Sequence, residues 1–222
     1  QMIRKCIASW HQMCPDWEIR EWNESNYDIN KNDYIKAAYA DRKWAYVVDF
    51  GRFDILKQYG GIFMDTDVEL LKPFPETFLA LEGFTGFEKG HGIAPGLVYA
   101  AEPGQKMLSK IIDAYCNRNF SLCETVCDIV TDIYISEGLK LNDSTQQVEN
   151  MMVYSSENFG CFDHETQHFC ITENTISIHH YAGSWSSWQK KIHFKMIWLA
   201  ATILGPQRYK NIKHRMYKKK KE

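Results

Sequence analysis

Two consecutive glycines, Gly60 and Gly61, divide this chain between two kinds of periodicity. Before them, Ile35, Ala38, Tyr39, Trp44, Val47, Val48, Phe50, Phe53, Ile55 and Leu56 recur at three- and four-residue steps, which predicts helices that stop at glycine. After them comes an apolar run, Ile62-Phe63-Met64, that reads as a strand, and then Asp65-Thr66-Asp67. Helix, double glycine, strand and acidic pair is the order of an α/β unit. It also sets two carboxylates one residue apart at a strand's end, on one side of an extended chain. A divalent metal that bridges two phosphates needs hard oxygen ligands so placed, with room left for phosphate and water. An isolated Asp-x-Asp is more often a solvated turn, so its meaning depends on the rest of the sequence.

The rest extends the α/β pattern. From residue 6 the chain reads as a helix broken at Cys14-Pro15-Asp16, followed by a short alternating strand over residues 17–22. Residues 84–87 and 97–100 read as short strands on either side of the loop Lys89-Gly90-His91-Gly92-Ile93-Ala94-Pro95-Gly96. Residues 107–115 and 124–137 read as helices, and residues 153–154 and 175–180 as late strands. At 222 residues, 45% apolar and 24% charged, the chain has enough apolar surface for one sizeable core. Its seven cysteines are an odd number with no Cys-x-x-Cys pair, which argues against a zinc knuckle or a disulfide framework and for reduced thiols.

Charge is divided unevenly. Residues 206–222 carry eight Lys or Arg against Glu222, a net +7, so the preceding body is at −9. An acidic body argues against nucleic-acid binding, for which basic residues would cover a folded surface. The run over residues 194–204 is apolar but shorter than the roughly 20 residues that cross a bilayer. An amphipathic or core helix followed by a basic tail is expected there. The tail's cations suit an anionic membrane surface, against the alternative of a solvated, disordered end.

Four features carry possible chemistry. Asp65 and Asp67 offer metal ligands. Asp49 and Arg52 stand three residues apart on one helical face, which in isolation is a surface ion pair. The glycines between 90 and 96 let backbone approach a ligand closely, or form a plain turn. Far downstream, His179 and His180 are adjacent in a strand and so face opposite sides; at most one of them can turn towards a metal.

Taken in order, Trp44-Ala45-Tyr46-Val47-Val48-Asp49-Phe50-Gly51-Arg52, then residues 59–69 from Tyr59-Gly60-Gly61 through Asp65-Thr66-Asp67-Val68-Glu69, then His179-His180-Tyr181-Ala182-Gly183-Ser184-Trp185, resemble glycosyltransferase family 32. These are transferases with a DXD-containing sugar-binding region, among them capsular-polysaccharide and lipopolysaccharide sugar transferases and α-mannosyltransferases. The resemblance spans residues 3–188. It implies a GT-A fold, a Rossmann-like α/β domain with a mixed central sheet flanked by helices, over residues 1–193, with residues 194–222 as a C-terminal helix and basic tail.

It further implies Mn²⁺ or Mg²⁺, a nucleotide-sugar donor (a UDP-sugar before a GDP-sugar) and retention of anomeric configuration. The acceptor would be a glycan or lipid-linked oligosaccharide, in bacterial surface polysaccharide synthesis at the cytoplasmic side of the plasma membrane. By the same resemblance Asp49 and Arg52 hold the donor's hydroxyls and diphosphate side. Asp65 is the first carboxylate, towards nucleotide-sugar or metal, and Asp67 the direct metal ligand. His180 with Gly183 matches a His-x-x-Gly in which the histidine completes the metal shell, and Trp185 matches a tryptophan that contacts the leaving phosphate. Two departures stand out: the family's opening apolar strand has no counterpart after Gln1, from which either a chain that begins inside a longer one or a different way of holding the base is expected, and Phe63 stands where relatives have Tyr.

Two other classes fit parts of the sequence. A strand followed by Asp-x-Asp also begins haloacid-dehalogenase-like phosphatases, whose first Asp attacks phosphorus; the later Gly-Asp pair such enzymes need is missing here. A non-catalytic carbohydrate-binding module would use the many aromatic residues, yet it has no need for Arg52, Asp65, Asp67 and His180 together.

Overall fold

The computed structural model describes residues 1–181 and 187–219. The chain opens with α1 (Met2–Met13), α2 (Asp33–Ala40) and α3 (Trp44–Tyr59), then β1 (Gly61–Phe63), β2 (Val68–Leu70) and the single turn α4 (Glu76–Leu79). It continues through β3 (Gly83–Gly86), β4 (Tyr99–Ala101), α5 (Lys106–Cys116), α6 (Val126–Ser136), β5 (Gln146–Val148) and β6 (Met151–Tyr154). A short α7 (Ser156–Phe159) leads to the hairpin β7 (Phe162–Asp163) and β8 (His168–Phe169), then β9 (Ser177–His179), α8 (Trp188–Leu204) and α9 (Pro206–Lys219).

Local chemistry sets these boundaries. The Asn32 side chain accepts the Ile35 amide at the start of α2, and Thr125 with Asp128 forms a reciprocal capping box on α6. α3 ends at Gly60, whose φ of 67° lies in the left-handed region; a Cβ there would also sit 2.6 Å from the Pro103 ring. The glycine stop read from the sequence is therefore a backbone requirement.

Five strands form a mixed sheet in the order β1-β4-β3-β6-β5, in which β3 and β6 run parallel and the other neighbours antiparallel. The strands alternate strictly between two apolar layers. Tyr99, Ala101, Met151 and Val153 face the helices α2, α3, α5 and α6, while Val98, Ala100, Phe84 and Met152 face a second cluster built around Phe74 and Phe159. With helices on one face and α4 and α7 on the other, the architecture is mixed α/β, the class expected from the sequence. Tyr99 and Tyr134 bury their hydroxyls against each other at 2.8 Å, which satisfies both in an otherwise apolar layer.

Three local expectations differ. Residues 17–22 form no strand: the two tryptophans at its ends instead pack singly, Trp17 stacked on Phe74 at 5.8 Å and Trp22 tilted against Tyr59 at 5.1 Å. The hairpin β7–β8 and strand β5 carry no period long enough to be read in advance. The basic segment after residue 205 is a helix, α9, separated from α8 by Gly205 at φ 81° and started by Pro206, which fits a first helical position. All seven cysteines are free.

Candidate metal and donor site

The acidic pair lies in the irregular link between β1 and β2 rather than within a strand. Asp65 is held there by its backbone: its N–H donates to the Gly96 carbonyl at 2.9 Å, and its own carbonyl accepts from Val68 at 2.9 Å. β2 leaves the five-stranded sheet and pairs antiparallel with β9 in a separate ribbon, with Val68 opposite His179. α1 backs this ribbon. Trp10 Nε1 donates to the Val68 carbonyl at 2.8 Å and Ser9 Oγ accepts the Leu70 amide at 2.9 Å.

That pairing brings a residue from 112 positions away onto the acidic pair. His179 Nε2 lies 2.7 Å from Asp67 Oδ1, and Asp65, Asp67 and His179 each place one ligand atom so that all three fall within 4.8 Å of one another. The expectation from sequence put His180 at this point. Instead His180 turns to the other side, where its Nε2 lies 2.7 Å from Glu69 Oε2, and Lys5 Nζ reaches the same carboxylate at 2.8 Å. Adjacent strand residues face opposite ways, so pairing β9 with β2 in this register selects His179. Burial raises the Glu69 carboxyl, but hydrogen bonds from Lys5 and His180 together with their charges more than offset it and hold it below the usual range.

Behind the pair, α3 supplies Asp49 and Arg52. The helical spacing read from the sequence does join them, at 2.7 Å between Arg52 Nη2 and Asp49 Oδ1, but the pair is buried rather than on the surface. Arg52 Nη2 also lies 3.5 Å from Asp65 Oδ1, and its guanidinium rests over the Phe63 ring at 4.5 Å. Phe63 thus serves as an apolar platform for a cation, a role for which a ring without a hydroxyl is sufficient. Burial pushes the Asp49 carboxyl up to about 6, Arg52 opposing and Asp65 adding to the shift. Arg52 Nη1 and His179 Nδ1 are buried without a hydrogen-bond partner among the described residues.

The glycine loop approaches the protein itself. A Cβ on Gly92 would meet the Thr131 hydroxyl at 2.2 Å, and one on Gly96 would meet Asp65 Oδ2 at 2.2 Å and Arg52 Nη1 at 3.4 Å. Gly96→Ala should leave thermal stability nearly unchanged, since a carboxylate can swing away, but displace Asp65 and lower metal affinity by about 10-fold or more. Calorimetric Mn²⁺ titration beside a melting curve measures both.

A second polar cluster gave no sequence signal, because its members are scattered. His164 Nε2 lies 2.9 Å from Glu88 Oε1, the Tyr181 hydroxyl donates to the same oxygen, and Tyr181 packs on His179 with ring centroids 4.1 Å apart. Burial raises the Glu88 carboxyl, and these hydrogen bonds more than offset it, so it is held below its ordinary value. Gly183 and Trp185, expected at the donor's phosphate, lie outside the described residues.

The residues fit a divalent ion in donor type and charge. Two carboxylate oxygens and an imidazole nitrogen converge, hard and borderline donors of the kind that hold a dication, with Asp65 also 3.5 Å from Arg52 Nη2. No curated protein matches this chain. Among solved structures it is similar to one titled PaToxG Glycosyltransferase, at 20% identity over 50% of this chain and 42% of that one, with a TM-score of 0.37. The chain therefore spans less than half the length of that relative. Residues 1–84, which include Asp49, Arg52, Asp65 and Asp67, match the family described as a glycosyltransferase sugar-binding region containing a DXD motif.

Proposed function

We propose that this chain is a metal-dependent, retaining glycosyltransferase with a GT-A type catalytic domain over residues 1–193. It moves a hexose from a nucleotide-diphosphate sugar, a UDP-sugar in preference to a GDP-sugar, to a glycan or lipid-linked glycan in surface polysaccharide synthesis. The observation that carries this reading is the convergence of Asp65, Asp67 and His179 beside the buried Arg52, within and next to the segment that matches the DXD family.

Each side chain has a role that follows from its surroundings. Asp67 and His179 anchor Mn²⁺ or Mg²⁺, with Asp65 completing the protein's share of ligands. The bound ion supplies positive charge where a sugar–diphosphate bond breaks and negative charge collects on the departing phosphate. Arg52 is clamped by Asp49 and Phe63, so its orphaned Nη1 is already oriented and desolvated for an anionic partner. Asp49 holds that guanidinium in place, 2.7 Å from Arg52 Nη2. Gly183 and Trp185 would complete the phosphate side.

Retention is assigned to same-face attack, with the leaving phosphate taking the acceptor's proton. Glu88, a part-buried carboxylate joined to His179 through the Tyr181 ring, is already engaged by His164 and Tyr181 and is not presented as a free nucleophile. A glycosyl-enzyme adduct trapped by mass spectrometry would overturn that step.

The reading is tested with a panel of UDP- and GDP-sugars assayed for Mn²⁺-dependent hydrolysis and transfer. Hydrolysis of a generic aryl phosphate without sugar transfer would favour the phosphatase reading, and sugar binding without turnover the binding module. The histidines give an internal control: His179→Ala should weaken Mn²⁺ binding by more than about tenfold, while His180→Ala, which loses contacts with Glu69 and Phe169 away from the acidic pair, should leave it nearly unchanged.

A further inference from the structure

The C-terminal helices carry a surface that the proposed chemistry does not use. α8 is 17 residues long, yet only Ala201 on it is buried. Its contact with the body runs through Trp198, which stacks on His168 at 5.8 Å, and Thr202, whose hydroxyl lies 3.0 Å from His168 Nε2. Around the helix from these, Trp188, Ile192, Met196, Leu199 and Ile203 fall within an arc of about 80° at 3.6 residues per turn. They are 67%, 51%, 65%, 52% and 74% exposed, more apolar surface than a solvated helix face carries.

α9 is split by face in the same way. Lys210 lies 2.5 Å from Asp163, and Lys213 and His214 reach Glu165 at 3.7 and 3.1 Å, which docks one side onto the body. Arg208, Ile212, Arg215 and Met216 are exposed and lie together on the opposite side, within about 100° of arc.

We propose that α8 and α9 form a platform that seats the protein on an anionic lipid bilayer, with the α8 apolar stripe at the headgroup boundary and the outward cations of α9 over the lipid phosphates. Charge decides for lipid against a second copy of the chain. Between Glu173 and Glu222 there is no acidic residue and there are eleven Lys or Arg, so two such faces would repel, whereas anionic headgroups complement them. Exposed Lys191 and Lys195 border the stripe on α8, where their stems can lie along apolar surface with the ammonium in water. No helix of the described residues is long and apolar enough to cross a membrane, so the platform lies in the interface plane.

The test uses the full chain and needs no catalytic readout. It compares flotation with phosphatidylcholine vesicles, with and without phosphatidylserine. Binding is expected on the anionic vesicles and should weaken as salt rises. Arg208→Gln with Arg215→Gln should lower partitioning about 30-fold. Ile192→Ser, Leu199→Ser and Ile203→Ser together should lower it more than about a hundredfold, with the melting curve unchanged because these side chains are exposed. Quenching of tryptophan fluorescence by brominated lipid, reduced in Trp188→Phe, gives a second measure that does not depend on the triple variant folding. Absent vesicle binding, unchanged binding in both sets of variants, or a dimer in ultracentrifugation that the serine variant dissolves would each overturn the proposal.

Discussion

Asp67→Ala is expected to lower turnover of the preferred nucleotide-sugar by about a thousandfold while leaving the melting temperature close to that of the parent chain. On the proposed reading Asp67 would hold the ion whose positive charge stabilises the departing phosphate, and losing one preorganised electrostatic contact of that kind raises the barrier by about 3 to 4 kcal/mol. Its side chain, by contrast, is only part-buried in the link that precedes β2, where it meets His179 Nε2 at 2.7 Å. The effect should thus separate cleanly, a large change in kcat with Mn²⁺ affinity reduced and little change in stability. Full Mn²⁺-dependent activity in the variant would remove the assignment of this acidic pair.

Arg52→Met has the opposite profile. The guanidinium is 4% exposed and is the cation shared by Asp49 and Asp65, so its removal leaves a buried carboxylate without its partner. Breaking one side of a buried pair costs about 3 to 5 kcal/mol. The loss should depend on pH, and its sign follows from Asp49. Burial already raises that carboxyl to about 6, above its unfolded value, so its ionised form opposes folding and stability is lost as pH rises through that range. Without Arg52 the opposition grows. Denaturant melts should therefore show a larger gap between variant and parent at about pH 8 than at about pH 5, where Asp49 can take up a proton. A gap that does not change with pH would mean that Asp49 is not the stranded group.

Much of the helical framework was legible in advance, because amphipathic runs of eight or more residues repeat often enough to be counted. α2, α5 and α6 each show this, and Gly60 ends α3 for a conformational reason that any chain would share. Strands of two to four residues were not equally readable, as with β5 and the β7–β8 hairpin. The failed strand at residues 17–22 shows the complementary limit: an alternating pattern describes a surface that can be half buried, and single aromatic contacts satisfied it without a paired strand among the described residues. The Glu88, His164 and Tyr181 cluster was invisible because its parts come from three distant segments with no common spacing.

Local order in the sequence determined the α/β class, the Asp49–Arg52 spacing and the presence of two carboxylates at a strand's end, since each depends on residues within one helical turn or one short link. Tertiary structure decided which histidine meets them. His179 and His180 are chemically identical and adjacent, and only the register of β9 on β2, set by long-range pairing, puts one beside Asp67 and the other on Glu69. It likewise turned the Asp49–Arg52 pair from an ordinary surface contact into a buried clamp, because burial depends on what the rest of the chain packs around α3.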